Sequence, residues 1–176
     1  MIVPGIWNSD ADHWQSVWQA DRGTSAVRIA PGSWSHPDPA DWDAAISRAV
    51  AACPEAPVLV AHSLGVLAVA SWLRAGHGLG VAGAFLVAPP DPEAPRFPHE
   101  AAGFVAPTGA AGVPTRLVVS DDDPYCTAER ALGFAAVLGA DVLRVGALGH
   151  VNVASGIGAW PDGRQMLDAF EQTLDA

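Results

Sequence analysis

Ser63 is the residue whose surroundings best suit covalent chemistry, because it lies in the pentapeptide Ala61-His62-Ser63-Leu64-Gly65. This segment resembles the G-x-S-x-G pattern, in which a strand turns sharply into a helix and presents a serine hydroxyl, with alanine in place of the first glycine. Residues two before and two after such a serine approach each other, so both must be small. An apolar run of strand length precedes the pentapeptide and an apolar helical pattern follows it. This context favours a nucleophile at Ser63 over an ordinary turn.

A serine hydroxyl is a weak nucleophile at neutral pH, so a neighbouring imidazole must take its proton. His150 directly follows the last predicted strand, at the sheet edge where Ser63 is also expected. His62 adjoins the nucleophile but should point elsewhere in a tight turn. The other histidines lie in predicted helices or polar loops, where solvated or pocket-lining roles are expected: His13, His36, His77 and His99. Among them, the loops of His13 and His36 should also reach the active edge.

The acid that orients such a histidine should follow a strand between the other two residues. The segment Ser120-Asp121-Asp122-Asp123-Pro124 does so, and it gives the chain order serine, aspartate, histidine. We predict Asp123 as the acid, with Asp122 as the alternative. Three aspartates could also form a solvated turn or a weak cation site. No separated set of further carboxylates indicates an octahedral metal cage, so no metal and no cofactor are predicted.

A negatively charged reaction intermediate would need backbone N–H donors. Leu64, at the start of the predicted helix, is one candidate. The second donor should come from the loop after the first strand, where Gly5 permits close approach of the backbone. There the N–H groups of Ile6 and Trp7 are both candidates.

Alternating strands and helices should position these residues. Short strands are predicted at residues 1–3 and 26–30, and further strands at 57–61, 84–88, 115–120 and 142–145. Helices are predicted to begin at an N-cap Ser9, at Asp38-Pro39, after Ser63, near residue 127 and near residue 161. Such alternation implies parallel crossovers. We therefore expect one α/β domain over residues 1–176, with five or six mostly parallel strands and helices on both faces. Residues 88–113 have room for one short helix but not for a separate lid domain.

The composition narrows the possible partners. The chain has 176 residues, half of them apolar, and a formal net charge of −10, which disfavours nucleic acid and anionic lipid surfaces. No apolar run approaches the roughly 20 residues of a membrane span, and no leader pattern precedes the first strand. Cys53 and Cys126 are far apart and are expected to be free thiols. We expect a cytoplasmic monomer or small homo-oligomer acting on a small molecule.

Seven tryptophans are many for a chain of this length. Four of them have the spacing of helix-face core residues: Trp14, Trp18, Trp42 and Trp72. Trp7 and Trp160 are the better candidates for a substrate pocket, together with His13. An apolar pocket with few charges would suit an uncharged ester or amide.

Several motifs together resemble the YdeN-like small serine hydrolases related to retinoblastoma-binding protein 9, over nearly the whole length. They are Val3-Pro4-Gly5, His13-Trp14-Gln15-Ser16 with Trp18, the Ser63 pentapeptide, Leu86-Val87-Ala88-Pro89-Pro90-Asp91, Ser120 with Asp123-Pro124-Tyr125, Gly149-His150-Val151-Asn152, Ser155-Gly156-Ile157-Gly158 and Trp160-Pro161. The resemblance implies an α/β-hydrolase core without a large lid, and it carries a catalytic triad onto Ser63, Asp123 and His150. The chain departs from these relatives in its very short first strand. Pro4 also stands where many other α/β-hydrolases have histidine.

These observations predict hydrolysis of a small carboxylic ester, thioester or amide through an acyl-enzyme. A protein-binding module that keeps a hydrolase fold is the alternative, since a fold alone does not fix an activity. Acyl transfer to an acceptor other than water would use the same residues.

Overall fold

The fold of residues 1–174 is built on a five-stranded parallel sheet. The structure is a computed structural model that describes residues 1–174. Its strands follow the chain order β1-β2-β3-β4-β5: β1 Ile2–Val3, β2 Val58–His62, β3 Gly83–Val87, β4 Thr115–Val119 and β5 Asp141–Arg144. One row of paired residues crosses the whole sheet: Ile2, Val60, Phe85, Arg116 and Asp141. The predicted α/β architecture is confirmed.

The strand predicted at residues 26–30 is reduced to one parallel bridge between Arg28 and Ile2. Two backbone hydrogen bonds hold it, from Ile2 to Val27 O at 2.7 Å and from Ile29 to Ile2 O at 3.2 Å. Because β1 has only two residues, it offers a partner too short for a longer ladder.

Five α-helices of the described part of the chain cover the sheet: α1 Trp14–Arg22, α2 Pro39–Ala51, α3 Leu64–Arg74, α4 Ala128–Leu138 and α5 Pro161–Leu174. The prediction that Ser9 caps α1 is wrong. The Asp10 carboxylate accepts a hydrogen bond from the His13 backbone N–H, and the His13 ring in turn accepts one from the Gln15 N–H and caps the helix. The chain therefore makes one further turn before the helix begins.

Two apolar clusters lie on opposite faces of the sheet. Alternate strand residues point to opposite sides, so Leu59 and Ala61 join a cluster with α2, α3 and α4, whereas Val60 joins one with α1 and α5. This explains why β2 reads as a continuous apolar run. Within residues 1–174, the stretch between β3 and β4 contains one short 3₁₀ turn, His99–Ala101, and no further helix.

The carboxyl ends of the parallel strands meet at one edge of the sheet, and the predicted functional residues lie there. Gly5 follows β1, Ser63 follows β2, Asp123 follows β4 and His150 follows β5. No helix within residues 1–174 combines the length and apolar character needed to span a membrane.

Candidate active site

Ser63 occupies a strained turn between β2 and α3. Its φ of 53° and ψ of −126° are unusual for a residue with a side chain, and its N–H donates to Val87 O at 3.0 Å. A Cβ on Gly65 would contact the carbonyl oxygens of Val3 and Pro4, and one on Gly5 would lie 2.8 Å from Ser63 Cβ. These two glycines are therefore what allows the β1 loop to pack directly against the turn.

The structure brings three of the predicted site residues into one chain of hydrogen bonds. His150 Nε2 lies 2.8 Å from Ser63 Oγ, and His150 Nδ1 lies 2.8 Å and 3.0 Å from the two carboxylate oxygens of Asp123. The side chains of His150 and Asp123 are only 7% and 3% exposed. With the Nδ1 proton donated to the carboxylate, Nε2 is left to accept the Ser63 hydroxyl proton.

Asp122 has a different place. Its Oδ1 accepts hydrogen bonds from Ser120 Oγ at 3.0 Å and from the Gly149 N–H at 2.7 Å. It therefore holds the loop that carries His150 and does not touch the imidazole. Asp123 is additionally fixed by the Tyr125 N–H, which donates to its Oδ1 at 2.9 Å.

The predicted oxyanion donors differ in whether their backbone N–H already has a hydrogen-bond partner in the protein. The Trp7 N–H donates to Trp34 O at 2.8 Å, so the expectation that Trp7 could serve as an oxyanion donor is corrected. Within residues 1–174, the N–H groups of Ile6 and Leu64 have no protein hydrogen-bond partner. Both residues line the cavity above Ser63.

That cavity has a volume of about 300 Å³. His62, Ser63 and His150 contribute to its wall, and so do Trp7 and His13, as the sequence predicted. Trp7 is 58% exposed. Further lining residues that were not predicted as pocket residues come from the loops after β1, β3, β4 and β5: Asn8, Asp10, Pro90, Phe97, Pro98, Tyr125, Asn152, Val153 and Ala154.

Trp160 does not line the cavity, which corrects the prediction for this residue. Its ring stacks on Trp18 at 5.8 Å and meets Trp14 edge-on at 5.4 Å, within the core beneath α1 and α5. A Cβ on Gly163 would collide with this ring, so Trp160 is closely packed. His36 also lies outside the cavity and is exposed.

The cavity wall carries little charge. Among the described residues that line it there is one carboxylate, Asp10, and no lysine or arginine. Burial lowers the pKa of His13 to about 4. Burial, followed by the nearby His150, lowers the pKa of His62 well below its usual value of 6.5. Both rings are therefore neutral at physiological pH.

Two side chains whose role was not predicted from sequence also hold the His150 loop. His62 Nε2 donates to His150 O at 2.9 Å, and Trp14 Nε1 donates to Val151 O at 2.9 Å. The only signal available was their presence in the motifs around His13-Trp14 and Ser63, because neither contact is local in sequence. Ser155 completes the support, since its Oγ accepts from the His150 N–H at 2.9 Å.

Comparison with known proteins identifies a family and several solved structures with a similar fold. A model of the family described as serine hydrolase matches residues 1–169. A solved structure from Pectobacterium atrosepticum, described as a YdeN-like hydrolase, is 34% identical, with 98% of this chain and 90% of that chain covered and a TM-score of 0.87. The ydeN gene product of B. subtilis is 21% identical, with 97% of each chain covered and a TM-score of 0.78. An esterase from Rhodococcus sp. shares the fold at 15% identity, with a TM-score of 0.66 and 99% and 89% of the chains covered. No curated protein sequence matched the chain.

The family match and the fold define a hydrolase enzyme with an α/β-hydrolase core. The chain belongs to the serine hydrolase family, as a small YdeN-like member.

Proposed function

We propose that this enzyme cleaves a small ester, thioester or amide through an acyl-enzyme formed on Ser63, with His150 as base and Asp123 as the residue that orients it. The observation that carries this proposal is the unbroken hydrogen-bond series from Asp123 through His150 to Ser63 Oγ, with both contacts of His150 at 2.8 Å. Nucleophile, base and orienting group within such distances are what acyl transfer requires.

In the first step, Ser63 Oγ attacks the carbonyl carbon while its proton moves to His150 Nε2. The oxyanion that forms accepts hydrogen bonds from the N–H groups of Leu64 and Ile6. Collapse of this intermediate breaks the bond to the alcohol, thiol or amine, which leaves with the proton from His150. Water then attacks the acyl-serine, His150 takes the water proton, and the acid is released as the proton returns to Ser63.

The cavity supports a small and uncharged acyl substrate. Its volume of about 300 Å³ lies at the lower end of the range for ligand pockets, and apolar groups form more than half of its surface. No lysine or arginine of the described wall is available to pair with a phosphate or carboxylate, and Asp10 would repel one.

Labelling with a fluorophosphonate probe tests the nucleophile. In the wild-type protein, Ser63 Oγ should attack the phosphorus of the probe and displace fluoride, which leaves Ser63 labelled. Ser63→Ala should not be labelled. Ser71→Ala is a matched control, since Ser71 is an exposed serine on the same helix, α3. Equal labelling of wild type and Ser63→Ala would refute the assignment.

Turnover of p-nitrophenyl esters distinguishes catalysis from the protein-binding alternative. An enzyme that uses His150 should lose turnover in His150→Ala by about 10³-fold or more. A binding module on this fold would show no turnover that depends on this imidazole. Product analysis with added alcohols or amines would reveal transfer to an acceptor other than water.

A further inference from the structure

Two neighbouring carbonyl groups on the loop of His150 are held by buried side chains from distant parts of the chain. His150 O accepts from His62 Nε2 at 2.9 Å, and Val151 O accepts from Trp14 Nε1 at 2.9 Å. His62 ends β2 and Trp14 begins α1, so two different elements hold consecutive residues of a third segment. These two hydrogen bonds hold the backbone of His150 and Val151 in place.

This segment needs such support because its backbone is strained. Gly149, with a φ of 56°, suits this region because it has no side chain, but Val151, with a φ of 49°, is a β-branched residue of a kind rarely found there. Val151 is fully buried. Strain of this kind persists only where the surroundings determine the conformation.

Both donors are rigidly placed. The Trp14 side chain is fully buried, and its ring packs 4.4 Å from that of Trp18 and 5.8 Å edge-on from that of His62. The His62 ring lies between the rings of His13, at 4.8 Å, and His150, at 5.0 Å. A carbonyl oxygen only accepts, so the proton of neutral His62 lies on Nε2.

We infer that His62 and Trp14 are positioning residues for His150. Their ring N–H groups hold the His150 loop and thereby set the distance between the His150 imidazole and Ser63 Oγ. This rests on the proposed function of that pair. Displacing a reacting group by about 1 Å can cost about 100-fold in rate. Losing the Trp14 anchor should therefore lower kcat without weakening substrate binding. Trp14 makes the clearest case because it does not line the cavity.

The chain supplies a matched control for Trp14. Trp42 is also fully buried and also donates its indole N–H to a backbone carbonyl, Ser33 O at 3.2 Å, far from the His150 loop. Trp14→Phe and Trp42→Phe thus remove the same groups from comparable environments. We expect Trp14→Phe to lower kcat for a p-nitrophenyl ester by between about 10-fold and about 100-fold, with KM within about threefold. Trp42→Phe should keep the wild-type kcat, with urea unfolding measured for both variants.

A second pair of variants tests His62 separately, and it decides the matter if Trp14→Phe does not fold. The side-chain amide of His62→Gln has an N–H that can reach the position of Nε2, whereas His62→Leu has none. We expect His62→Leu to lose kcat and His62→Gln to recover most of it. Equal kcat losses in Trp14→Phe and Trp42→Phe, or equal kcat in the two His62 variants, would overturn the inference. Absence of turnover by the wild-type protein would instead refute the proposed function.

Discussion

Replacing Asp123 by asparagine should nearly abolish turnover while leaving the fold intact. The Tyr125 N–H donates to Asp123 Oδ1 at 2.9 Å, so an asparagine would keep its carbonyl oxygen there and place its NH₂ group near His150 Nδ1. That nitrogen would then have to accept, which moves the imidazole proton to Nε2. An imidazole in this tautomer cannot accept the proton of Ser63.

The size of the expected kcat loss in Asp123→Asn follows from the buried negative charge that the substitution removes. Asp123 is 3% exposed on its side chain and faces the imidazolium that forms during the reaction. Unit charges about 4 Å apart interact by about 4 kcal/mol at an effective dielectric constant of about 20. At about 1.4 kcal/mol per factor of ten, kcat should fall by about 10³-fold.

The assay is p-nitrophenyl ester turnover near neutral pH, with urea unfolding as the measure of folding. Asp122→Asn is the matched control, because its carbonyl oxygen can still accept from Ser120 Oγ and the Gly149 N–H. It should keep kcat within about threefold of wild type. A larger loss of kcat in Asp122→Asn than in Asp123→Asn would refute this reasoning.

Three further outcomes follow from the site. Gly65→Ala should destabilise the protein by about 2 kcal/mol or more, because the added methyl group would contact the carbonyl oxygens of Val3 and Pro4. It should also reduce fluorophosphonate labelling. Unchanged urea unfolding would contradict this prediction. Trp7→Ala should raise KM for long-chain esters by about 3- to 10-fold without changing thermal stability, since this side chain is 58% exposed at the cavity; equal KM values across an ester chain-length series would count against it. Burial lowers the pKa of His13 from 6.5 to about 4 in the folded protein, so folding favours the neutral ring. The free energy of unfolding should therefore be highest above pH 6.5 and should fall by roughly 3 kcal/mol as the pH drops to about 4. His13→Asn, which can still cap α1, should lower this dependence in urea unfolding measured between pH 4 and 7, and an identical pH profile would disprove the assignment.

The sheet could be predicted from sequence because its signals are local. The apolar run before Ser63 and the helical pattern after it place β2 and α3 to within about one residue. Local pattern also explains why the start of α1 was predicted wrongly. Ser9 and the acidic residues after it resemble a helix start, but the His13 ring caps α1 four residues later.

The walls of the site could not be predicted in the same way, because they depend on contacts between distant residues. Nothing near Trp7 indicates that its N–H bonds to Trp34 O, and nothing near Trp160 indicates that its ring packs on Trp18. The residue types around Ser63 favour a nucleophile, whereas the direction of each neighbouring side chain follows from the completed fold. His62 is the clearest example, since its partner His150 lies 88 positions away.

The anchoring of the His150 loop also has a consequence for how activity is acquired. The contact from Trp14 to Val151 joins residues 137 positions apart, so the segment around Val151 must be in place before the base is fixed. Closing such a loop costs chain entropy before the contact can stabilise the structure, and non-local contacts of this kind slow folding. A refolding experiment should therefore show helical circular dichroism returning before esterase turnover, and a nascent chain still lacking its last segments would have a serine but no working base.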